Sequence, residues 1–282
     1  MKAKKIIIEF MVLCQMIPLY FAFTATAAEP LTLWVHPYLP ATELIKRFFP
    51  LADYLSQKCG QAIVVKVSES YKSHIERVGE ERMDLAYLGP ASYVKTFNTY
   101  GEKTLLARLE VNGSPFFYGM IITRHDSSIN TLTDLKGKTF AFGDPNSTMS
   151  HLVPLHMLQE AGITIDAFNK TAFLGSHNDV ALGVLGGYYD AGGVKEGVYY
   201  NYRERGLKLL ATSSPVSEHL FVARKDIPQS TIYILRQAMF QLKDEKILSS
   251  IKSSVTGLVP VKNEDYEYLF SVMRQLNSLS AE

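Results

Sequence analysis

Short apolar runs alternate with amphipathic helical patterns along this chain of 282 residues, and the alternation limits its fold more than any other feature. Apolar residues in positions 41–59 recur every three or four residues, as on the buried face of a helix, and the preceding run 31–36 is short and apolar enough for a buried strand. Strands that alternate with helices form parallel sheets with helices packed on them. The sequence therefore predicts an α/β fold with a mostly parallel sheet.

The alternation continues to the C-terminal end of the chain. Further strands are predicted over residues 63–67, 84–88, 105–109, 116–123, 138–142, 171–174, 207–211 and 220–224. Further helical segments are predicted after Pro90, from Ser150, and over residues 71–79, 132–135, 177–185, 229–242, 244–253 and 264–279. Pro50 is expected to kink or split the helix 41–59, because proline removes one helical hydrogen bond.

A polar break at residues 126–128 separates two α/β units. The sequence has no Pro-rich or Gly/Ser-rich linker, and strand-like segments join the units, so we expect two lobes connected by paired hinge strands. The predicted boundaries are 29–122 for lobe 1, 123–215 for lobe 2, and 216–282 for the hinge return and the C-terminal helices of lobe 1. Ligands of such folds bind at the carboxyl ends of strands and between lobes.

Residues 1–28 have the features of a cleavable export signal: a basic start, an apolar stretch and the small-residue site Ala25-Thr26-Ala27. The alternative is a retained membrane anchor, against which Glu9 within the apolar stretch argues. Cys14 does not follow a lipobox. Cleavage would place the protein in the periplasm and leave Cys59 without a partner, so we expect no intrachain disulfide and a packed Cys59.

The balance of charge indicates no nucleic-acid partner. The chain has 29 basic and 28 acidic residues, and loss of the signal removes three lysines and one glutamate, which leaves a net charge of −1. A polyanion is bound by a basic surface. Any anion must therefore be held by a local site.

The run 143–152 joins a predicted strand to a predicted helix and carries Ser147, Thr148 and Ser150. The first turn of a helix has unpaired N–H donors and a partial positive charge, so it attracts small anions such as phosphate. We expect an oxyanion site at this turn. The alternative is an ordinary N-cap, which needs a single hydroxyl.

Other aromatic and polar residues also follow predicted strands. Tyr87 and Tyr38 stand at two strand ends, where each ring could wall a cleft, and the alternative for both is a packed tyrosine. His177 starts a helix as a second candidate anion site, and the alternative there is a surface cap. The stretch 189–194, which includes Asp190, predicts an edge strand and a turn whose small residues would let the backbone approach a ligand.

Common catalytic signatures are absent from the sequence. It contains no Gly-x-Ser-x-Gly elbow, no His-Glu-x-x-His, no P-loop and no Gly-x-Gly-x-x-Gly. The histidines are scattered, and His151 and His156 are five residues apart, which is a poor match to one helical face. We therefore predict a binding protein without catalytic residues, cofactor or metal.

Five motifs occur in the order found in one family: 50–58 (PLADYLSQK), 87–90 (YLGP), 143–148 (GDPNST), 175–177 (GSH) and 257–260 (GLVP). On these motifs, the chain resembles the phosphate/phosphite/phosphonate family of periplasmic binding proteins, the PhnD-like components of ABC importers. The resemblance covers essentially the whole chain after residue 28. It implies a type II periplasmic-binding fold, in which two α/β lobes with hinge strands close over an oxyanion without chemistry. It also implies that the phosphonyl oxygens are held by Ser147, Thr148 and Ser150, and that the cage is completed by Tyr87, His177 and Tyr38.

Two positions depart from the family pattern. Met149 interrupts the Ser-Thr-Ser-Gly run that the family commonly has. Lys195 stands where an acidic residue usually pairs with the amine of an aminoalkylphosphonate, so an amine-bearing ligand is not expected. A one-residue shift of the turn would put Glu196 at that place, and Glu196 and Asp190 complete the predicted set of ligand-binding residues.

The sequence thus predicts an exported, monomeric protein that binds a small phosphorus oxyanion (phosphonate, phosphite or phosphate) and delivers it to an ABC permease. One alternative is a sensory protein that presents an oxyanion, such as arsenite or phosphate, to a histidine kinase. Another is an enzyme that acts on a phosphonate in the same cleft. A neighbouring gene for a permease or a kinase would separate the first two, and turnover of a bound ligand would favour the third.

Overall fold

The computed structural model describes residues 29–279, which form two large sheets and one short strand pair. The first sheet contains, in spatial order, Val255–Val259 (β13), Thr104–Val111 (β4), Leu220–Ala223 (β12), Leu85–Leu88 (β3), Leu31–Val35 (β1) and Ile63–Val67 (β2). The second contains Leu207–Thr212 (β10), Gly119–Arg124 (β6), Ala191–Lys195 (β9), Thr139–Phe142 (β7) and Lys170–Phe173 (β8). The short pair consists of Phe116–Phe117 (β5) and Val216–Ser217 (β11).

Helices connect these strands and cover the sheets. The α-helices are Ala41–Cys59 (α1), Tyr71–Gly79 (α2), Pro90–Tyr100 (α3), Val153–Glu160 (α4), His177–Leu185 (α5), Glu196–Tyr202 (α6), Gln229–Gln241 (α7), Glu245–Ile251 (α8) and Glu267–Leu279 (α9). Short 3-10 segments occur at Leu132–Leu135, Ile165–Ala167, Arg203–Arg205 and Asn263–Tyr266, and a π-helical turn at Thr148–Leu152 leads into α4.

Helix α1 shows how the apolar pattern produces the packing. Its buried residues are Leu44, Phe48, Leu51, Ala52 and Leu55, which join a core with strands of the first sheet and with α7 and α8. Gly60 ends the helix with φ of 70°, a left-handed conformation that glycine adopts without strain. The helix runs unbroken through Pro50, so the expectation of a split was wrong. Cys59 is half-buried, and its thiol contacts Gln61 O at 3.3 Å.

Two strand-like crossings connect the large sheets. The chain passes from β4 through β5 to β6, and it returns from β10 through β11 to β12. β5 and β11 pair antiparallel, with Val216 opposite Phe117 and Ser217 opposite Phe116. The predicted strand 116–123 is therefore two strands, and its first part belongs to the paired hinge.

Both large sheets are mixed, which corrects the prediction of a mostly parallel sheet. In the first sheet β1 pairs parallel with β2 and β3, whereas the three pairings that involve β12 and β4 are antiparallel. In the second sheet two pairings are parallel and two are antiparallel. The antiparallel pairings all involve β13 or a strand that leads into or out of a crossing. A strand that enters a sheet from a crossing starts at the end of the sheet where the parallel strands finish, so it runs in the opposite direction to them.

β9 lies in the middle of the second sheet, so the expectation that 189–194 forms an edge strand was wrong. Its glycines make room for helices. A Cβ on Gly192 would lie 2.5 Å from Val180 Cγ1 of α5, and one on Gly193 would lie 2.7 Å from Pro154 Cγ of α4. The small residues here allow helices to pack closely on both faces, and they do not serve the approach of a ligand.

Replacing Gly192 with alanine is expected to destabilise the protein by about 1–3 kcal/mol, because the added methyl also meets the carbonyl oxygen of Ala141 at 3.0 Å. For a chain of this size the melting temperature should fall by about 2–12 °C. The matched control is Gly197→Ala, where no atom lies within 4 Å of the added methyl. A melting temperature of Gly192→Ala equal to that of the wild type would show that the strand can shift to accept a side chain.

The predicted lobe boundaries fall close to the hinge. The boundary at 122/123 lies inside β6, and that at 215/216 lies immediately before β11. Helix α9 contacts both α3 and α4, so it bridges the two units instead of packing on lobe 1 alone. The division into lobes therefore remains a proposal.

Two predictions concern the N-terminal segment and the membrane. The predicted export signal, residues 1–28, lies outside the described part of the chain, as does Cys14. Among residues 29–279, no helix combines the length and the apolar character that crossing a bilayer requires.

Candidate functional site

A cavity of about 530 Å³ lies between the two large sheets, at the carboxyl ends of β1, β3, β7, β8 and β9. The segment between β11 and β12 and the C-terminal end of α8 close its remaining side. The polar and charged residues of its wall are His36, Tyr38, Arg47, Tyr71, Tyr87, Ser92, Asp144, Asn146, Ser147, Thr148, Ser150, Ser176, His177, Asn178, Lys195, Glu218, His219 and Lys252. This is where open α/β sheets bind ligands, and the volume suits a small molecule.

The turn that follows β7 is held by its own hydrogen bonds. Asn146 N donates to Asp144 Oδ1 over 2.7 Å, and Ser147 N donates to Asp144 O over 2.9 Å. Ser147 Oγ accepts from Ser150 N over 3.2 Å and so caps the helix. The N–H groups of Thr148 and Met149 begin the helix and have no helical carbonyl behind them, so the turn presents backbone donors to the cavity.

Ser150 lies at this turn with a fully buried side chain. Its Oγ has no hydrogen-bond partner among the described residues, and a Cβ on Gly143 would lie 2.1 Å from that oxygen. Gly143 therefore provides the space that the hydroxyl occupies. A buried hydroxyl without a partner costs about 1–3 kcal/mol, which a ligand oxygen in the cavity would recover.

The same turn contacts α3 of the first unit. Ala91 N donates to Thr148 Oγ1 over 3.2 Å, and Lys95 Nζ donates to Asn146 Oδ1 over 3.0 Å. The backbone donor occupies a lone pair of the Thr148 hydroxyl and leaves its hydrogen free to donate. These bonds close the cavity on this side.

His177 faces the turn as a neutral hydrogen-bond donor. Lys195 N donates to its Nδ1 over 3.1 Å, so the remaining proton of the neutral ring lies on Nε2, which is 3.5 Å from Ser147 Oγ. Burial, together with the charges of Lys195 and His219, lowers the pKa of His177 to about 3. The ring therefore donates from Nε2 toward the cavity at neutral pH.

Aromatic rings form the opposite wall. His36 stacks on Tyr87 with ring centroids 5.4 Å apart and planes 7° from parallel, and His219 lies 5.5 Å from Tyr87. His36 Nδ1 donates to Tyr87 O over 3.1 Å. Tyr38 is 37 % exposed at the mouth, where burial raises its pKa to about 12. This wall can enclose an apolar substituent and offer phenol hydroxyls.

Charged groups occupy the end of the cavity nearest the hinge. Glu218 Oε2 accepts from His219 N over 3.1 Å and from His219 Nδ1 over 2.8 Å, and Glu218 Oε1 lies 3.8 Å from Lys252 Nζ. Burial alone would raise the pKa of Glu218, but the hydrogen bonds of His219 and the charges of His219 and Lys252 lower it to about 2. The carboxylate is ionised at neutral pH.

The structure brings six of the eight predicted site residues together around the cavity: Tyr38, Tyr87, Ser147, Thr148, Ser150 and His177. Asp190 lies elsewhere, because its Oδ2 accepts from Thr139 N and Thr139 Oγ1, each over 2.8 Å, at the start of β7. It stabilises a strand end and does not line the cavity. Glu196 is also outside the cavity wall, and its backbone N donates to Tyr118 O over 3.0 Å.

Several residues of the wall were not predicted. Tyr71 starts α2, Glu218 and His219 precede β12, and Lys252 ends α8. The pair Glu218-His219 could have been noticed in the sequence, because it places an acidic residue and a histidine directly before an apolar strand. Tyr71 and Lys252 gave no such signal. Within residues 29–279, no group of three His, Cys, Asp or Glu side chains is placed to hold a metal ion.

The chain is similar in sequence to one protein family and to individual members of known function. The model of the family described as "ABC transporter, phosphonate, periplasmic substrate-binding protein" matches residues 33–266. The chain is 29% identical over 174 residues to the phosphate-import protein PhnD of Mycolicibacterium smegmatis, a match that covers 58% of this chain and 54% of the relative. It is also 29% identical over 140 residues to the phosphonates-binding periplasmic protein of Escherichia coli, covering 48% of this chain and 41% of that protein. The chain thus matches about half the length of these two relatives.

Solved structures show the same fold. PhnD1 from Prochlorococcus marinus, in complex with methylphosphonate, superposes with a TM-score of 0.74 at 22% identity and covers 88% of this chain and 98% of that one. XAC2383 from Xanthomonas citri, bound to chloride ion, superposes with a TM-score of 0.77 at 18% identity with the same coverage. The predicted α/β, two-lobed type II periplasmic-binding fold is therefore confirmed, and so is the predicted family resemblance.

Proposed function

The chain belongs to the family of periplasmic substrate-binding proteins of phosphonate ABC transporters, and from that premise we propose that its cavity binds a small phosphorus oxyanion. The ligand is a phosphonate, phosphite or phosphate, which the protein delivers to an ABC permease. The family implies a periplasmic location, and we propose that residues 1–28 are the signal that directs export. We also propose that the protein binds its ligand as a monomer.

The arrangement of donors at the turn after β7 carries this proposal. Three kinds of donor meet at one end of the cavity: the first amides of the helix, His177 Nε2, and the buried Ser150 hydroxyl, which has no partner within residues 29–279. Hydrogen-bond donors from several directions suit a tetrahedral group with several oxygens, and the helix terminus adds a partial positive charge. We call this set of groups the oxyanion subsite.

The protonation of His177 supports binding without turnover. A serine beside a histidine would resemble a nucleophile and its base, but a base needs a free lone pair on the nitrogen that faces the hydroxyl. The lone pair of His177 Nδ1 accepts from Lys195 N, so the nitrogen that faces Ser147 carries the hydrogen. His177 therefore donates to a ligand and does not activate Ser147.

A thermal-shift screen tests the proposal. Phosphate, phosphite, methylphosphonate, aminoethylphosphonate, arsenite and sulfate would each be added to the purified protein, because a ligand that binds only the folded state raises its melting temperature. We expect a phosphorus oxyanion to give the largest rise. A rise with arsenite alone would instead favour the alternative of a sensory protein that presents its ligand to a histidine kinase.

Ligands with an amine are expected to bind at least about tenfold more weakly than methylphosphonate. The ammonium of Lys195 lies in the cavity wall, and like charges repel strongly in a poorly solvated cleft. Glu218 is not free to offset that repulsion, because its oxygens already face His219 and Lys252. Calorimetric titration with aminoethylphosphonate and methylphosphonate measures the difference, and tighter binding of the amine would reject this assignment of the cavity's charged end.

A further inference from the structure

Lys195 is a half-buried cation in the cavity wall, and no residue within 29–279 forms an ion pair with its ammonium. It is the last residue of β9, and none of the ion pairs within residues 29–279 includes it. Burial and the charge of Lys252 lower the pKa of Lys195, whereas Glu218 opposes that shift. An ammonium that is partly removed from water and has no counter-ion is destabilised, so this end of the cavity would stabilise an anionic group of a ligand.

The nearby carboxylates form no ion pair with Lys195. The carboxylate of Glu218 lies at this end of the wall, and its two oxygens contact His219 and Lys252. Glu196 is the next acidic group, but it lies outside the cavity wall and within 4.0 Å of neither lysine. Lys252 thus has a carboxylate within 4.0 Å, whereas the Lys195 ammonium has none among residues 29–279.

This positive charge is separate from the oxyanion subsite. The backbone of Lys195 and the hydroxyl of Ser147 lie on different sides of the His177 ring, since Lys195 N donates to Nδ1 and Ser147 Oγ faces Nε2. The charges that act on the Lys195 ammonium, Lys252 and Glu218, belong to the hinge side of the cavity. A volume of about 530 Å³ exceeds what one tetrahedral oxyanion fills, so a second ligand group has room there.

We propose that the natural ligand carries two anionic groups, a phosphonyl or phosphoryl group in the oxyanion subsite and a carboxylate held by Lys195 and Lys252. Carboxyalkylphosphonates such as phosphonoacetate represent this chemical class. The inference rests on the proposed function, because the oxyanion subsite must hold the phosphorus-bearing end. It adds that the hinge end of the cavity selects the substituent by its negative charge.

Calorimetric titration of the protein with methylphosphonate and with phosphonoacetate tests this proposal. The wild type should bind phosphonoacetate at least about tenfold more tightly than methylphosphonate. Lys195→Gln should remove that preference, because it should weaken phosphonoacetate binding at least about tenfold more than it weakens methylphosphonate binding. Lys225→Gln is the matched control: it also removes one positive charge, from an exposed position outside the cavity wall, and it should keep the preference.

The outcomes separate this inference from the function on which it rests. Binding of methylphosphonate without any preference for phosphonoacetate would overturn the inference alone. So would an equal loss of both ligands in Lys195→Gln, since Lys195 would then contact the phosphonyl group itself. Binding of neither ligand by the wild type would overturn the proposed function and the inference together.

Discussion

Replacing Ser147 and Thr148 together with alanine is expected to weaken methylphosphonate binding by about a hundredfold or more while the fold survives. Each hydroxyl can donate to a charged ligand oxygen, and a hydrogen bond to a charged group contributes about 1.5–3 kcal/mol. The variant also loses the cap on Ser150 N and the bond from Ala91 N. Calorimetric titration measures the loss of affinity, and circular dichroism checks that the protein remains folded.

The loss of a helix cap has to be separated from the loss of a ligand contact. Ser70→Ala provides the matched control, because Ser70 caps α2 by accepting from Ser73 N over 3.1 Å and lies outside the cavity wall. A missing cap costs about 0.5–2 kcal/mol of stability. We expect Ser70→Ala to lower stability without changing affinity. Unchanged binding in the double variant would remove Ser147 and Thr148 from the site.

The protein is expected to lose stability as the pH falls below about 6.5, before its carboxylates titrate. Burial is the main cause that lowers the pKa of His74 to about 4 and that of His177 to about 3. In the unfolded chain histidine takes up a proton near pH 6.5. At a pH between the folded and the unfolded pKa values, the unfolded state binds more protons than the folded state. The free energy of unfolding therefore rises with pH and falls on acidification. Each histidine contributes up to about 1.4 kcal/mol per pH unit.

Denaturant unfolding at pH 7, 6 and 5 measures this slope. His74→Asn should reduce the dependence on pH, because it removes one buried ring that stays neutral in the folded state. His125→Asn is the control, since His125 is exposed, and it should leave the slope as in the wild type. A free energy of unfolding that stays constant from pH 7 to pH 5 would show that these rings are protonated in the folded protein.

The turns at the carboxyl ends of strands were the part of the site that the sequence could predict. Ser147, Ser150 and His177 were found because a polar turn between an apolar strand and an amphipathic helix is a local pattern, and local hydrogen bonds hold it in place. Helices α1, α2 and α5 were predicted to the residue for the same reason. Amphipathic spacing fixes which residues can be buried together.

The other parts of the fold and of the site depend on contacts between residues that are far apart in the sequence. Lys252 reaches Glu218 only because α8 ends beside the hinge, and no spacing in the sequence brings these residues together. The mixed sheets arise from the two crossings, whose direction the strand patterns do not contain. Asp190 was misplaced because its partner Thr139 is 51 residues away on the neighbouring strand. Glycines in β9 indicated a turn, whereas their role is helix packing.

The most direct test of binding to a small phosphorus oxyanion is calorimetric titration. The protein would be purified from the periplasm and titrated with methylphosphonate, phosphite and phosphate. The donors at the turn after β7 and at His177 predict saturable binding of one ligand per chain for at least one of the three. Sulfate, a tetrahedral oxyanion without phosphorus, should bind more weakly. Absence of saturable binding of all three phosphorus oxyanions by the folded protein would contradict the proposed function.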